Sequence, residues 1–190
     1  LENVREFANT TNFDSNNRTR AYMKVQDGCN RFCTYCIIPF ARGPIRSRTI
    51  EDSVREARTL ADRSFKEIVL TGIHIGSFGK DLGDMRLIDL IEAIAEVDGI
   101  ERIRLSSVEP LIITDEFMER AVKTGKLCDH FHLSLQSGSN NILKAMNRRY
   151  TREEYIEKAK IIRKYMPHAG LTTDIIVGFP GESDEDFEDS

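Results

Sequence analysis

The sequence predicts an α/β protein in which parallel strands and helices alternate, as a partial (βα) barrel or as an open doubly wound sheet. Three observations support this fold class. Apolar runs of strand length alternate with segments whose apolar residues recur at three- and four-residue spacing. The chain has 190 residues, whereas a complete eight-unit barrel needs about 250. Finally, polar and glycine-containing sequences follow each apolar run, as they do at the carboxyl ends of parallel strands.

Five strands are predicted from the short apolar runs, each of which ends in a turn sequence. These strands are residues 22–26, 67–73, 102–108, 130–136 and 171–177. Amphipathic spacing predicts four helices between them. These helices are residues 50–62, 87–97, 114–124 and 151–165. The alternation predicts about five βα units with right-handed crossovers.

Both ends of the sequence differ in composition from its middle. Residues 1–20 contain few apolar side chains and many Asn, Thr and Ser, so we expect a linker or arm from a preceding N-terminal domain. Residues 21–190 are expected to form the core domain. Ser183 precedes three acidic residues, which is typical of a helix N-terminus. The sequence stops about two turns later, and we therefore expect this domain to be truncated at its carboxyl end.

Charge and hydropathy restrict the class of protein. No segment approaches the roughly 18 apolar residues that cross a bilayer, so we expect a cytoplasmic protein without a membrane segment. The net charge of −4 argues against a general nucleic-acid binder. Residues 18–48 nonetheless contain seven basic residues and one acidic residue. This stretch either contacts phosphates or forms a solvated surface with Arg46 and Arg48 in local ion pairs.

Three of the four cysteines lie in one short loop after the first predicted strand. Cys29, Cys33 and Cys36 have the spacing C-x3-C-x2-C, which allows three thiolates to surround one inorganic centre. A disulfide is disfavoured in a reducing compartment. Zinc usually takes four close ligands, and the candidates for a fourth, His74 and Cys128, are remote in sequence. Three thiolates suit an iron–sulfur cluster with one open iron, and zinc remains the alternative.

The cysteine loop, with Tyr35 before its last cysteine, resembles the signature of the radical S-adenosylmethionine (SAM) enzymes. The longer sequence GCNRFCTYCIIPFARG, together with HLSLQSGSNNILKAMNRRYT and TDIIVGFPGE, is similar to the methylthiotransferase branch of that superfamily. The resemblance extends from about Tyr22 to Phe187. Within the branch, VQDGC, LTGIHIGSFG and RIRLSSVEP are most similar to enzymes that act on N6-threonylcarbamoyladenosine in tRNA. Methylthiotransferases of isopentenyladenosine tRNA or of a ribosomal protein are the alternatives.

The resemblance implies the fold and the chemistry as well. It implies a partial barrel of the radical SAM type and a 4Fe-4S cluster on Cys29, Cys33 and Cys36, with SAM chelating the fourth iron. An electron donor protein would supply the electron that cleaves SAM to a 5′-deoxyadenosyl radical. The implied product carries a methylthio group at C2 of the adenosine next to the tRNA anticodon. A second 4Fe-4S cluster is implied on a separate N-terminal domain, so we expect this chain alone to be incomplete for turnover.

The resemblance also implies that SAM contacts lie at the carboxyl ends of the predicted strands. Tyr35 is expected near the adenine, and Arg148 suits the SAM carboxylate because guanidinium groups donate in pairs to carboxylates. The glutamate that often binds the SAM amino group is absent here, so backbone carbonyls at the end of the second strand would serve. The full set of cofactor-binding residues that we predict is Tyr35, Thr71, Gly72, Ile73, Ser107, Glu109, Gln136, Ser137, Arg148 and Gly178.

Each assignment has a structural alternative. Tyr35 could pack in the core, and Gly72 could simply serve a turn. Glu109 could form an ion pair with Arg104, and Arg148 could be a solvated arginine at a helix end. No catalytic residue is assigned. The alternative from another class of protein is a zinc-stapled, non-catalytic RNA-binding module that uses the same cysteines.

Overall fold

A computed structural model describes residues 19–190. The expected arm at residues 1–20 therefore lies outside the described residues, apart from its last two. The strands are β1 (Ala21–Asp27), β2 (Arg46–Ser47), β3 (Glu67–Gly72), β4 (Arg102–Leu105), β5 (His130–His132) and β6 (Gly170–Thr172). The helices are α1 (Ile38–Arg42), α2 (Ile50–Asp62), α3 (Leu87–Ala95), α4 (Asp115–Lys123), α5 (Asn140–Ala145), α6 (Arg152–Tyr165) and α7 (Asp184–Asp189).

The principal strands are parallel and follow one another in chain order. β1, β3 and β4 pair in one sheet, with the two-residue β2 antiparallel at the outer edge of β1. β5 pairs with β6, and isolated bridges join Ile103 to Leu127 and Val108 to Leu133. The sheet therefore continues from β4 to β6 without closing in the described part of the chain. The predicted partial (βα) barrel is confirmed.

The two short strands β5 and β6 cover less than their predicted ranges, because the pairing loosens toward their carboxyl ends. A further bridge joins Gln136 to Ile175, so the chains stay adjacent without a continuous ladder. The helices α1 and α5 and the strand β2 were not predicted. Each has six residues or fewer, which is too short to show a clear hydrophobic period.

Capping side chains determine where four of the helices begin. Helices α2, α4, α6 and α7 each follow a Ser or Thr whose hydroxyl accepts a backbone N–H three residues later. The capping residues are Thr49, Thr114, Thr151 and Ser183. Acidic residues occupy the first turn of all four helices, where the helix dipole favours them. The predicted starts at Thr114 and Ser183 are confirmed.

The core lies between the sheet and the helices that cover its outer face. Alternate residues of β1 and β3, including Met23, Val25, Ile68 and Leu70, are buried. They pack in one cluster with apolar side chains of α2, α3 and α4. This packing fixes the strands, and with them the loops at their carboxyl ends. None of the helices in residues 19–190 is long and apolar enough to cross a membrane.

Most of the cations in residues 18–48 are neutralised by carboxylates of the same chain. Arg46 and Arg48 are buried. Arg46 lies 3.6 Å from Asp27, and Arg48 pairs with Glu56. The local ion-pair interpretation of these two arginines is therefore confirmed. Three further cations of this stretch, Arg20, Lys24 and Arg31, also have carboxylate partners.

Candidate cluster and cofactor site

The cysteine loop starts with a turn that only glycine fits. Gly28 has a φ of +70°, and a Cβ at this position would lie 1.9 Å from the carbonyl oxygen of Pro44. The Asp27 carboxylate accepts the Gly28 N–H at 2.8 Å. The next N–H, that of Cys29, donates to the Gly43 carbonyl at 3.1 Å. Residues 43–44 thus fold back over the start of the loop and hold Cys29 at the end of β1.

All three cysteines of this loop are free thiols. Cys29 is buried, whereas Cys33 and Cys36 are partly exposed. A tight turn, in which the Cys36 N–H donates to the Cys33 carbonyl at 2.9 Å, brings the last two together. Burial raises the pKa of the Cys29 thiol, and the neighbouring Cys33 and Cys36 raise it further. Three thiolates in this loop therefore require a positively charged inorganic centre.

The donor set fits an iron–sulfur cluster better than zinc. Within residues 19–190, no three His, Cys, Asp or Glu side chains converge as ligands of one metal ion. Such convergence is needed for zinc, whereas the thiolates of a 4Fe-4S cluster bind different iron atoms. Cys128 lies near Glu67 and Arg102, the first residues of β3 and β4. This is the opposite end of the sheet, so Cys128 does not complete a zinc site.

Arg148 joins the cysteine loop to the chain after β5. Its Nη1 lies 3.4 Å from Cys33 Sγ and 3.5 Å from the Tyr35 hydroxyl. Its Nε donates to the Tyr150 hydroxyl at 2.9 Å, and its Nη2 lies 3.4 Å from the Ser134 carbonyl oxygen. Arg148 is therefore held inside the site, and its assignment as a solvated arginine is wrong. The structure brings two of the predicted SAM contacts, Tyr35 and Arg148, to one cysteine.

Tyr35 is not a core residue, since 41% of its surface is exposed. Partial burial of the Tyr35 hydroxyl raises the pKa of Tyr35 to about 12, and the nearby Arg148 opposes this shift. The phenol consequently stays protonated at neutral pH and remains a hydrogen-bond donor. An exposed, uncharged aromatic ring beside Cys36 is suited to stacking on a planar ligand.

Glu109 lies at the centre of a second group of polar side chains. It is 4% exposed, forms an ion pair with Arg31 of the cysteine loop, and lies 3.3 Å from His74 Nε2. Burial acts to raise the pKa of Glu109, but His74 and Arg31 outweigh it and hold the pKa below its ordinary value. Arg104 donates to Glu67 at 2.7 Å instead. The alternative pairing of Glu109 with Arg104 is therefore wrong.

The Gln26 side chain forms hydrogen bonds to the loops after both β1 and β3, and the sequence analysis did not predict this role. Its side chain is fully buried. The amide nitrogen donates to the carbonyls of Asp27 and Gly28, both at 2.7 Å, and its oxygen accepts the His74 N–H at 2.7 Å. A polar residue at the end of an otherwise apolar strand was the available signal. Gly72 packs against this side chain, because a Cβ there would lie 3.0 Å from Gln26 Cβ.

The other predicted contacts occupy the same end of the sheet but differ in accessibility. Thr71 and Ile73 lie at the end of β3, where the Thr71 hydroxyl donates to the Met23 carbonyl at 3.2 Å. Ser107 follows β4 and is exposed. Gln136, which has a φ of +75°, bridges to Ile175. These residues follow the neighbouring strands β3, β4 and β5 and therefore lie at the same end of the sheet.

Two predicted contacts lie away from the cysteines. Ser137 has no exposed surface, and its hydroxyl accepts the Ser139 N–H at 3.1 Å and lies 3.3 Å from Ser190 Oγ. Its side chain therefore supports the start of α5. Gly178 follows β6 and has a φ of +76° with open space around its Cα. The Gly178 N–H is held by the Glu182 carboxylate.

Several buried polar atoms at this end of the sheet have no hydrogen-bond partner in the described residues. Two of them are Arg31 Nε and Ser106 Oγ. Arg31 belongs to the cysteine loop, and Ser106 follows β4 beside Glu109. Buried polar atoms are nearly always paired, so a donor and a hydroxyl left open here fit a polar ligand. The thiols, these two atoms and the Arg148 guanidinium together suit a cluster with a charged, nucleoside-containing cofactor.

Parallel βα units that present a three-cysteine loop at the carboxyl end of the first strand define a class of metallocofactor enzymes. The sequence model of the Radical SAM superfamily matches residues 23–190. The chain belongs to this superfamily. The superfamily in turn implies a 4Fe-4S cluster and SAM as cofactors.

Curated relatives are tRNA methylthiotransferases, as the resemblance predicted. The threonylcarbamoyladenosine tRNA methylthiotransferase MtaB of Bacillus subtilis is 47% identical over 90% of this chain and 38% of its own length. The tRNA-2-methylthio-N(6)-dimethylallyladenosine synthase of Alkaliphilus oremlandii is 48% identical over 90% of this chain and 36% of its own length. The chain thus spans less than half the length of these relatives, and it is about equally similar to both kinds.

Solved structures share the fold. The cobalamin-dependent SAM radical enzyme OxsB superposes with a TM-score of 0.70 at 17% identity, over 88% of this chain and 25% of that one. The radical SAM methyltransferase TsrM of Kitasatospora setae gives a TM-score of 0.68 at 18% identity, over 88% of this chain and 32% of that one. At such identities the likeness concerns the fold alone.

Proposed function

We propose that this chain is the radical SAM core of a tRNA methylthiotransferase. The enzyme adds a methylthio group to C2 of N6-threonylcarbamoyladenosine next to the anticodon. The observation that carries the proposal is the three-thiol loop at the carboxyl end of the sheet, joined to Tyr35 by the Arg148 guanidinium. The 47% identity to a threonylcarbamoyladenosine tRNA methylthiotransferase supports the substrate class.

The residues of the chain have distinct parts in this proposal. Cys29, Cys33 and Cys36 hold the cluster. When bound, the cluster and SAM supply one-electron cleavage of the sulfonium and a carbon radical reactive enough for an aromatic C–H bond. Arg148 orients the SAM carboxylate next to Cys33, and Tyr35 covers the adenine. The remaining predicted contacts at the strand ends, Thr71, Gly72, Ile73, Ser107, Glu109, Gln136 and Gly178, complete the cofactor pocket. Ser137 is buried and contributes indirectly, by supporting the start of α5.

The Glu109 carboxylate acts through the loop that bears the cysteines. Because it is buried and paired with Arg31, it fixes residues 29–33 against the end of β4. It also leaves the Arg31 Nε free to donate to the cofactor. A preorganised donor of this kind costs no rearrangement when the cofactor binds.

Sulfur insertion requires more than this chain offers. Three of its four cysteines are in the loop, and the fourth, Cys128, is buried at the other end of the sheet. A second 4Fe-4S cluster, on an N-terminal domain, is therefore part of the proposal, as are an electron donor protein and a cytoplasmic tRNA. The chain by itself is expected to cleave SAM without completing methylthiolation.

Anaerobic reconstitution of the chain tests this function. We expect bound iron with acid-labile sulfide, and 5′-deoxyadenosine when a reductant and SAM are added. Cys36→Ala should abolish both, whereas the matched control Cys128→Ala, at the opposite end of the sheet, should keep both. Stoichiometric zinc without sulfide would support the zinc-stapled module instead.

The substrate branch needs a separate assay, because relatives acting on two different modified adenosines have nearly the same identity. A longer protein that contains this core is offered tRNA with threonylcarbamoyladenosine, tRNA with isopentenyladenosine, and a ribosomal protein. The proposal expects a methylthio product on the first. Product on either of the others would assign the chain to that branch.

A further inference from the structure

Two open grooves run beside the cysteine loop and meet at Arg149. The first groove has a volume of about 460 Å³ and is lined by Asn30, Arg31, Lys80 and Arg149, among others. The second has a volume of about 500 Å³ and is lined by Lys144, Asn147 and Arg149, among others. Since Arg149 lines both, the two grooves adjoin each other at this residue, and we call them the Arg149 grooves.

The cations of the Arg149 grooves differ from those of residues 18–48. Lys80, Lys144 and Arg149 are exposed, and no carboxylate pairs with them among residues 19–190. The acidic groups that line the grooves are already engaged as acceptors. Asp81 accepts the Ser47 N–H at 2.7 Å and its hydroxyl at 2.5 Å. The three cations are therefore available to an anion from outside the described chain.

The second groove is also lined by a carboxylate, that of Glu154, which takes part in a helix cap. Glu154 accepts the Thr151 N–H at 2.8 Å, which is the capping box of α6. Its charge is thus oriented toward the start of its own helix. Amide side chains, among them Asn30 and Asn147, line the grooves together with the cations. Cations and amide donors are both groups that contact nucleic-acid phosphates.

Exposed aromatic rings lie on the cysteine loop next to these grooves. Phe32 and Phe40 are 50% and 64% exposed and pack edge to face with centroids 5.7 Å apart. Asn147 of the second groove donates to the Phe32 carbonyl at 3.0 Å, so rings and groove are adjacent. Phe32 also has a φ of +50°, a backbone conformation that a bulky residue adopts at a cost. Exposed rings beside free cations are the usual platform for unpaired bases.

We propose that the Arg149 grooves bind the phosphate backbone of single-stranded RNA, and that Phe32 and Phe40 stack on an unpaired base. The inference rests on the proposed function and assigns the phosphate contacts to Lys80, Lys144 and Arg149, which lie outside the basic stretch that the sequence highlighted. An acidic protein is disfavoured as occupant, because cations beside exposed stacking rings match a nucleotide chain better than an acidic protein surface, which offers no bases to stack.

Charge reversal with a matched control tests this inference. The test variant is the double substitution Lys144→Glu and Arg149→Glu. The control is Arg58→Glu and Lys123→Glu, which changes net charge equally at two exposed cations that line neither groove. The probe is a fluorescently labelled RNA hairpin with an unpaired, adenosine-containing loop. Its binding to the reconstituted chain is followed by anisotropy at several salt concentrations.

The test variant is expected to bind at least about tenfold more weakly, with a salt slope shallower by about 1.4, which corresponds to two lost single-strand phosphates. The control should keep both the affinity and the slope. Phe40→Ala should weaken binding by about fivefold without changing the slope, because stacking is not electrostatic. Circular dichroism verifies that each variant is folded.

Two results would overturn the inference. In one, the test variant and the control bind the hairpin equally well. In the other, poly-L-glutamate displaces the hairpin as effectively as unlabelled RNA does, which would indicate an acidic protein. Both differ from a failure of the proposed function, which would appear as missing iron, sulfide and 5′-deoxyadenosine in the unmodified chain.

Discussion

The two ends of the sheet use the same pairing of carboxylate and arginine for different purposes. At the amino end, Glu67 accepts from Arg102 and Arg104 at 2.9 and 2.7 Å and also lies 3.7 Å from Arg20. At the carboxyl end, Glu109 pairs with Arg31, and the Nε of that arginine is buried without a hydrogen-bond partner in residues 19–190. A network in which the hydrogen-bonding groups are paired stabilises the fold, whereas a network with an unpaired buried donor leaves that donor for a ligand.

The position of the cations also differs between the two ends. Arg102 is half exposed, so water screens its interaction with Glu67. Arg31 is mostly buried, as is Glu109, so their pair is weakly screened. A change in charge at the carboxyl end therefore affects the site more than the same change at the amino end.

The largest effect is expected for the loss of iron binding when one of two glycines with similar backbone conformations is replaced by alanine. Gly28 and Gly125 have φ values of +70° and +67°, but a Cβ at Gly28 would meet Pro44 backbone atoms at 1.9 Å, while Gly125 has open space. Gly28→Ala should displace the cysteine loop and abolish iron binding on reconstitution. Gly125→Ala, the control, should cost about 1 kcal/mol of stability from φ strain and keep its iron. Normal iron content in Gly28→Ala would contradict the loop geometry.

The second prediction compares the two carboxylates directly. Glu109→Gln leaves the Arg31 charge buried and is expected to cost about 3 kcal/mol. Glu67→Gln is expected to cost about 1 kcal/mol, because its partners are exposed. Chemical denaturation measures both. Formation of 5′-deoxyadenosine should fall at least about tenfold in Glu109→Gln, equal to about 1.4 kcal/mol in the barrier, and stay unchanged in Glu67→Gln. Equal losses in the two variants would remove the distinction between the ends.

Sequence alone predicted much of the fold, for physical reasons that particular elements illustrate. The four longer helices carry a hydrophobic period, and three of them, α2, α4 and α6, also follow a capping Thr. Helix α2 was accordingly predicted with its observed bounds, Ile50–Asp62. The short helices α1 and α5 are too short to show a full hydrophobic period, and they depend on tertiary contacts to form. They form because the cysteine loop and the Arg148 segment pack on each other, with the Thr34 N–H donating to the Met146 carbonyl at 3.2 Å.

For the site, sequence predicted residue types but not their pairing. The cysteine spacing is a local property and was readable, as was the basic position at Arg148. Glu109 pairs with Arg31, which is 78 residues away in sequence. Which arginine it meets, Arg31 or Arg104, therefore depends on the tertiary arrangement of the strands and loops. The same holds for Gln26, whose partner His74 is 48 residues away. Tertiary proximity of this kind leaves no periodic signal in a single sequence.

Acid should weaken the attachment of α7 through Asp186. Hydrogen bonds from Ser139 and Ser183 lower the pKa of Asp186 to about 2. Because this folded pKa is below the ordinary value of 3.8, the stabilisation is fully present above that value and is lost as the pH falls toward 2. The protection factors of the α7 amides, which are hydrogen-exchange rates corrected for the intrinsic rate at each pH, should fall in this window. Asp186→Asn should remove the pH dependence, and an unchanged profile in that variant would contradict the assignment.

The smallest expected effect concerns a helix that covers the sheet without contacting the cysteines. The Thr114 hydroxyl accepts the Phe117 N–H at 3.1 Å and caps α4. Thr114→Ala should lower the free energy of unfolding by about 1 kcal/mol, whereas Thr114→Ser, which keeps the hydroxyl, should lower it much less. Neither should change iron content or SAM cleavage, because a cap stabilises the scaffold and leaves the open donors at the carboxyl end untouched. A change in SAM cleavage in Thr114→Ala alone would mean that α4 packing is coupled to the site, so that stability and cofactor binding are not separable in this fold.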